Sequence, residues 1–406
     1  MNKVLTFIMA GGRGERLFPL TRERTKPAVP FGGIYRIIDF TLSNCLNSGL
    51  RKVCVFTQYK SSSLSHHLIM GWNILNSELG EYIDAVPAQQ RIGESWYLGT
   101  ADSIYQNLYL VNQEMPDYVL ILAGDHIYKM NYARMIEFHC QSRADLTVAV
   151  VEMEKDRSRH LGVLEVDEKM QVRGFEEKPP GPATISDRST LIYASMGIYV
   201  FNRQTLIKAL DADSGNTESE HDFGKDIIPQ MLKKQKKVFA YNFKDPKTGE
   251  PRYWRDVGDI DAYYKANMDL VKVTPEVNLY DKDWPIRTYE GQFPPAKTVW
   301  AGGKDKARIG RAINSLIANG CIISGGLVQS SILSPAVRIN SFSEVYDSII
   351  MQGTDVGRHA KIRRAIIDKD VKISARARIG YNMTEDKKRF TVSESGITVV
   401  PKGSVV

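Results

Sequence analysis

At 406 residues, with 43% apolar and 25% charged positions, the chain is too long for one ordinary core and too balanced for a disordered or fibrous protein. Its 54 basic residues against 47 acidic ones leave a net charge of +7, spread along the sequence and unaccompanied by any nucleic-acid motif. This argues against nucleic acid as a partner and for small anions as ligands. Four dispersed cysteines (Cys45, Cys54, Cys140, Cys321) lack zinc spacing, and no stretch reaches the roughly 18 apolar residues of a membrane span. A cytoplasmic protein with no membrane partner is expected.

Short runs rich in β-branched residues alternate with helical patterns through the first two-thirds: 4–9, 53–57, 118–122, 146–153 and 196–201. The alternation predicts an α/β, Rossmann-like domain over 1–271 with a mostly parallel sheet. Ile104, Leu108, Val111 and Met115 recur at helical spacing, which predicts one helix N-capped by Thr100. Periodicity lapses over 272–296, where Pro275, Pro285, Pro294 and Pro295 mark a linker. Apolar residues then return every six positions, at Cys321, Leu327, Leu333, Ile339, Val345 and Met351, and after a break at Ile367, Ile373 and Ile379. Neither a helix nor a flat strand has that period; a hexapeptide left-handed parallel β-helix over 297–406 does.

The first strand runs into AGGRGERLFPLTRERTKP at 10–27. Gly11, Gly12 and Gly14 let the backbone approach a phosphate, and Arg13, Arg16 and Lys26 add cations. The spacing is neither the P-loop nor the dinucleotide fingerprint. A second strand ends in LAGDHIYK at 122–129, which puts Asp125 where open α/β sheets bind ligands and where a carboxylate suits magnesium. Asp256, in YWRDVGD at 253–259, is its candidate partner. Glu177 and Lys178 close FEEKP at 175–179, which by itself reads as a charged hairpin end.

Taken together these segments, with PAQQR (87–91), WYLGTADSIYQNL (96–108), ASMGIYVF (194–201), HDFGKDIIP (221–229) and WPIRTY (284–289), resemble the bacterial glucose-1-phosphate adenylyltransferases over essentially the whole chain. The resemblance implies a magnesium-dependent enzyme that makes ADP-glucose and pyrophosphate from ATP and α-glucose 1-phosphate for glycogen synthesis. It implies that Asp125 and Asp256 hold Mg2+, and that Arg13 and Lys26 grip the triphosphate, with the loop glycines. Tyr97, Gly162, Glu177, Lys178 and Ser195 are implied to bind glucose 1-phosphate, and Gln90, Gly99 and Thr100 to contact adenine.

Family members are commonly homotetramers under metabolite control. Arg24 and Arg36 match the family, and with Lys402 they imply a site for anionic effectors. Glu23, Pro30 and Gln113 depart from the enteric pattern, so the identity of the effectors is left open. Competing readings are a non-catalytic modulatory subunit, against which Arg13, Lys26, Asp125, Lys178 and Asp256 are all retained, and a pyrophosphorylase for another base or sugar. An acyltransferase β-helix is a third, disfavoured because His359 is the only histidine in the repeat region.

Overall fold

The computed structural model describes residues 3–89, 96–186, 190–300 and 308–406. Strand β1 (Val4–Met9) lies at the middle of a nine-stranded sheet, parallel to β4 (Lys52–Thr57) on one side and to β6 (Tyr118–Ala123) on the other; between β1 and β4 come the short hairpin β2 (Pro30–Phe31) and β3 (Tyr35–Arg36) and helix α1 (Ile37–Asn47). Beyond β4, α2 (Ser62–Trp72) leads to β5 (Tyr82–Pro87), the parallel edge. Leu5 and Phe7 of β1 face one apolar layer and Ile8 the other, as do Cys54 and Phe56 against Val53 and Val55, and Val119 and Ile121 against Leu120 and Leu122. A strand covered on both faces must be apolar throughout, which is how these runs read.

The expected single helix is two, α3 (Thr100–Tyr105) and α4 (Leu108–Glu114). Asn107 interrupts it, because its side-chain amide donates to the Ser103 carbonyl (2.8 Å) and to Tyr97 Oη (2.9 Å), competing with the helical ladder. Thr100 is not the N-cap. Gly99 holds that place, and the Thr100 hydroxyl donates to Asp222 instead.

After β6 comes β7 (His126–Tyr128), then α5 (Tyr132–Gln141), β8 (Leu146–Glu154), β9 (Gly162–Val166) and β10 (Val172–Glu177). The long β11 (Leu191–Asn202) runs antiparallel inside the sheet between β6 and β8; α6 (Arg203–Ser214), α7 (Ile228–Lys233) and β12 (Val238–Asn242) complete this side. Strand β13 (Trp254–Asp256) pairs antiparallel with β7, setting Asp256 against His126, and α8 (Ile260–Asp269) follows.

No regular element lies between α8 and the strand Lys297–Val299. The stretch is nonetheless fastened to α1: Trp284 Nε1 donates to Asn44 Oδ1 (2.9 Å) and Asn47 Nδ2 to the Pro285 carbonyl (2.9 Å).

The remainder is a β-helix of three mainly parallel sheets, whose central ladders pair residues 17 apart: Leu327 with Glu344, Glu344 with Lys361, Lys361 with Arg378. A strict period of six therefore slips. The buried inward residues are Val328, Leu333, Ile339, Val345, Ile350, Val356, Ile362, Ile367 and Ile373, so every third step is five residues. Leu327 and Met351 are accordingly not core residues of the coil; Met351 packs instead with Leu17, Phe40 and Tyr263 of the first domain. The short step is taken at corners in left-handed backbone, in aligned columns such as Ser330, Asp347 and Arg364.

Candidate active site

Strands β1 and β6 are neighbours, so the glycine loop after one and Asp125 after the other open side by side at their C-terminal ends. Antiparallel pairing of β7 with β13 brings Asp256 to the same place. Lys26 joins them: its Nζ lies 2.7 Å from Asp125 Oδ2 and 2.9 Å from Asp256 Oδ1. Lys26 itself is buried, and although burial alone would lower its pKa, Asp125 and Asp256 raise it above the ordinary lysine value. Burial likewise works to raise the Asp125 carboxyl, but Lys26 and His126 outweigh it and hold it at about 2. Asp125 and the amine are therefore charged at neutral pH.

Around this centre is a cleft of about 780 Å3 lined by Gly11, Gly12, Arg13 and Gly14 on one wall, Tyr97, Gly99 and Thr100 on another, and Glu177 and Lys178 across from them. Gly14 is left-handed (φ 64°), and a Cβ there would stand 2.9 Å from Lys26 Cβ, so the turn that carries Arg13 requires glycine. Arg13 is exposed and 3.7 Å from Glu15, free to swing onto a ligand. Gly99 is under a different constraint: a Cβ would meet the His221 carbonyl oxygen at 2.3 Å. The 97–100 segment is thereby pressed onto the turn at Phe223–Ile227, where Asp222 accepts from Thr100 Oγ1 (2.9 Å) and from the backbone of Gly224 (2.8 Å).

Glu177 ends β10 with its carboxylate 3.3 Å from Lys178 Nζ, and burial raises its pKa despite that lysine. Lys178 turns into the cleft through a positive φ of 52°. Gly162 and Ser195 do not line the cleft. They lie on the adjoining strands β9 and β11, and a Cβ at Gly162 would press on Phe175 at 2.5 Å and on Glu177 Oε2 at 2.9 Å. Gln90 lies outside the described residues.

Of the expected effector residues, Arg24 and Arg36 lie where the two domains meet. The Arg24 guanidinium is buried against Asp368 of the β-helix, with Nη2 at 3.0 Å from both carboxylate oxygens and Nη1 buried without a partner among the described residues. Arg36 donates to the Ser63 carbonyl (2.7 Å) and lines a cavity of about 240 Å3 between the 30–36 hairpin and the β-helix. Lys402 does not join them. It is on the surface, paired with Glu23 at 2.9 Å, because the chain returns there only after the inserted helix Met383–Arg389. Lys369 lines the Arg36 cavity instead. The sequence alone did not single it out, since its only signal is a basic residue at one corner of a coil.

Asp125, His126 and Asp256 offer ligand atoms within 4.8 Å of one another. Such a cleft, with a glycine loop, cations and paired carboxylates, defines a nucleotidyltransferase, and a family profile described as nucleotidyl transferase matches residues 5–273. A second profile, GlmU-like C-terminal hexapeptide, matches 294–400. The chain is 52% identical to the glucose-1-phosphate adenylyltransferase of Koribacter versatilis, over 99% of this chain and 96% of that one. It is 49% identical to that of Rhodopirellula baltica, over 100% and 91%, and 50% identical to glucose-1-phosphate adenylyltransferase 2 of Vibrio cholerae, over 99% and 98%. The chain belongs to the nucleotidyl transferase family and, within it, to the glucose-1-phosphate adenylyltransferases. No helix among the described residues is long and apolar enough to cross a membrane.

Proposed function

We infer that this enzyme joins ATP and α-D-glucose 1-phosphate to give ADP-glucose and pyrophosphate, supplying α-glucan synthesis. The observation that carries the reading is Lys26 held between Asp125 and Asp256 on the floor of the glycine-loop cleft. The donor set suits a hard divalent cation: two carboxylates converge there, with a histidine beside them. Asp125 and Asp256 would hold Mg2+, which when bound neutralises charge on the phosphoryl oxygens.

Glucose 1-phosphate needs no general base, because its second pKa is near 6 and at pH 7 it is largely a dianion. Lys178 holds that phosphate and Glu177 the sugar hydroxyls, with Tyr97 completing the subsite and Gly162 leaving Glu177 its room, while Ser195 stands back from the cleft on β11. A phosphate oxygen attacks the α-phosphorus of ATP in line; the bond to the bridging oxygen breaks, and pyrophosphate departs along Arg13 and Lys26. Gln90, Gly99 and Thr100 contact the adenine. The protein's part is positioning and charge stabilisation. Lys26 must leave at least one carboxylate as nucleotide enters, so its amine passes from Asp125 and Asp256 to the triphosphate.

Regulation fits the same reading. Arg24 and Arg36, together with Lys369 rather than Lys402, form an effector site for a metabolite anion in a cytoplasmic homotetramer. Light scattering on the purified protein tests the assembly; a mass equal to the 45.8 kDa chain would sink it. Activity is tested by pyrophosphate release with magnesium and glucose 1-phosphate, comparing ATP, UTP, GTP and dTTP. ATP preference supports the reading, and release with UTP alone overturns it.

A further inference from the structure

Behind the cleft lies a second cavity of about 230 Å3, separated from it by Arg16 and Gly258, which line both. Arg157, Arg255 and Lys265 also face it. Among the described residues, Arg16, Arg157 and Lys265 have no ion-pair partner. Two carboxylates border the cavity, and both are engaged elsewhere: Asp256 with Lys26 at 2.9 Å, and Asp259 with the Ala262 amide at 2.8 Å. Trp254 lines the same space. It is only 4% exposed, and the His126 ring meets its indole edge-on at 4.9 Å.

Cations left unpaired around one cavity call for a ligand made of acceptors. The cavity falls below the roughly 300–1,000 Å3 of sites for drug-sized molecules, which favours an inorganic anion over a nucleotide. Its shared wall with the triphosphate cleft identifies which anion.

We propose that this cavity is a pyrophosphate site, receiving the leaving group from the triphosphate cradle across Arg16 and holding it with Arg157 and Lys265. The proposal rests on the reaction given above. In the forward direction the site takes the product away from the α-phosphorus; in reverse it captures pyrophosphate next to the metal-binding carboxylates.

Calorimetric titration of pyrophosphate, with magnesium and a saturating non-hydrolysable ATP analogue filling the cradle, reads the site without turnover. The wild type is expected to bind one pyrophosphate per chain, and Arg157→Gln and Lys265→Gln, both surface changes, to weaken it roughly tenfold. In pyrophosphorolysis the KM for pyrophosphate should rise by that factor, with the forward KM for ATP unchanged. Absence of binding once the cradle is filled overturns the proposal, and so does an equal rise in the KM for ATP, which would place these side chains in the cradle itself. Binding as expected in a chain that makes no ADP-glucose would uphold the site and refute the reaction instead.

Discussion

Replacing Asp368 by Asn isolates what joins the two domains. Arg24 and Asp368 have side-chain exposures of 6% and 1%, so the guanidinium has almost no water to replace the lost carboxylate. Breaking a buried pair from one side costs about 3–5 kcal/mol. The lower end applies, because only Nη2 reaches the carboxylate and Asn keeps an acceptor for the Lys369 amide, which now bonds Asp368 Oδ1 at 2.7 Å. A loss of about 3 kcal/mol corresponds to roughly 6–10 °C in melting temperature for a cooperative unit of about 150–250 residues. With Arg36 and Lys369 nearby, the variant should also recover more stability from added phosphate than the wild type does. Thermal unfolding followed by circular dichroism, with and without phosphate, measures both. The double change Arg24→Met, Asp368→Leu should melt close to the wild type, since an apolar pair removes both charges together. If Asp368→Asn melts with the wild type and is indifferent to phosphate, the buried-pair reasoning is wrong.

Asp125→Asn should lower kcat by roughly 10²–10³-fold with the fold intact by circular dichroism, because one of two converging carboxylates is neutralised while shape is kept. Gly99→Ala should cost about 1–3 kcal/mol and raise the KM for both substrates, as the added carbon forces the 97–100 segment off the His221 carbonyl; unchanged kinetics would show that the segment moves freely. Burial, with Arg36 and Arg24, pushes the Lys369 ammonium down to about 8 from its usual 10.5. Below pH 8 it is charged in folded and unfolded chains alike and its folded-state penalty is fully present. Between 8 and 10.5 only the unfolded chain keeps the proton, so this group's contribution to stability improves as pH rises through that window. Anion affinity at the Arg36 cavity should fall over the same range, and Lys369→Gln should abolish that fall in a phosphate-binding titration.

Much of the site was legible because its chemistry is local in sequence. A glycine loop following a strand, and an aspartate at the end of a neighbouring one, are placed by the parallel sheet whatever the rest of the chain does. Thr100 was misread for the opposite reason: its hydroxyl is claimed by Asp222, a residue 122 positions away that no local pattern connects to it. The β-helix was visible as a class, yet a six-residue period misassigned Leu327 and Met351, since the five-residue step belongs to the corners and not to the strands.

What the sequence determined by itself, then, was the set of reactive groups and the periodicities that bury one face of each element. Tertiary structure decided which groups meet. Lys26 lies between Asp125 and Asp256 because two strands pair antiparallel. Arg24 takes Asp368 as its partner, and Lys369 rather than Lys402 stands in the cavity with Arg36, because a 17-residue coil and one inserted helix set which corners face the catalytic domain. Such pairings depend on long-range register, and a charge has no means of announcing along the chain which opposite charge will share its burial.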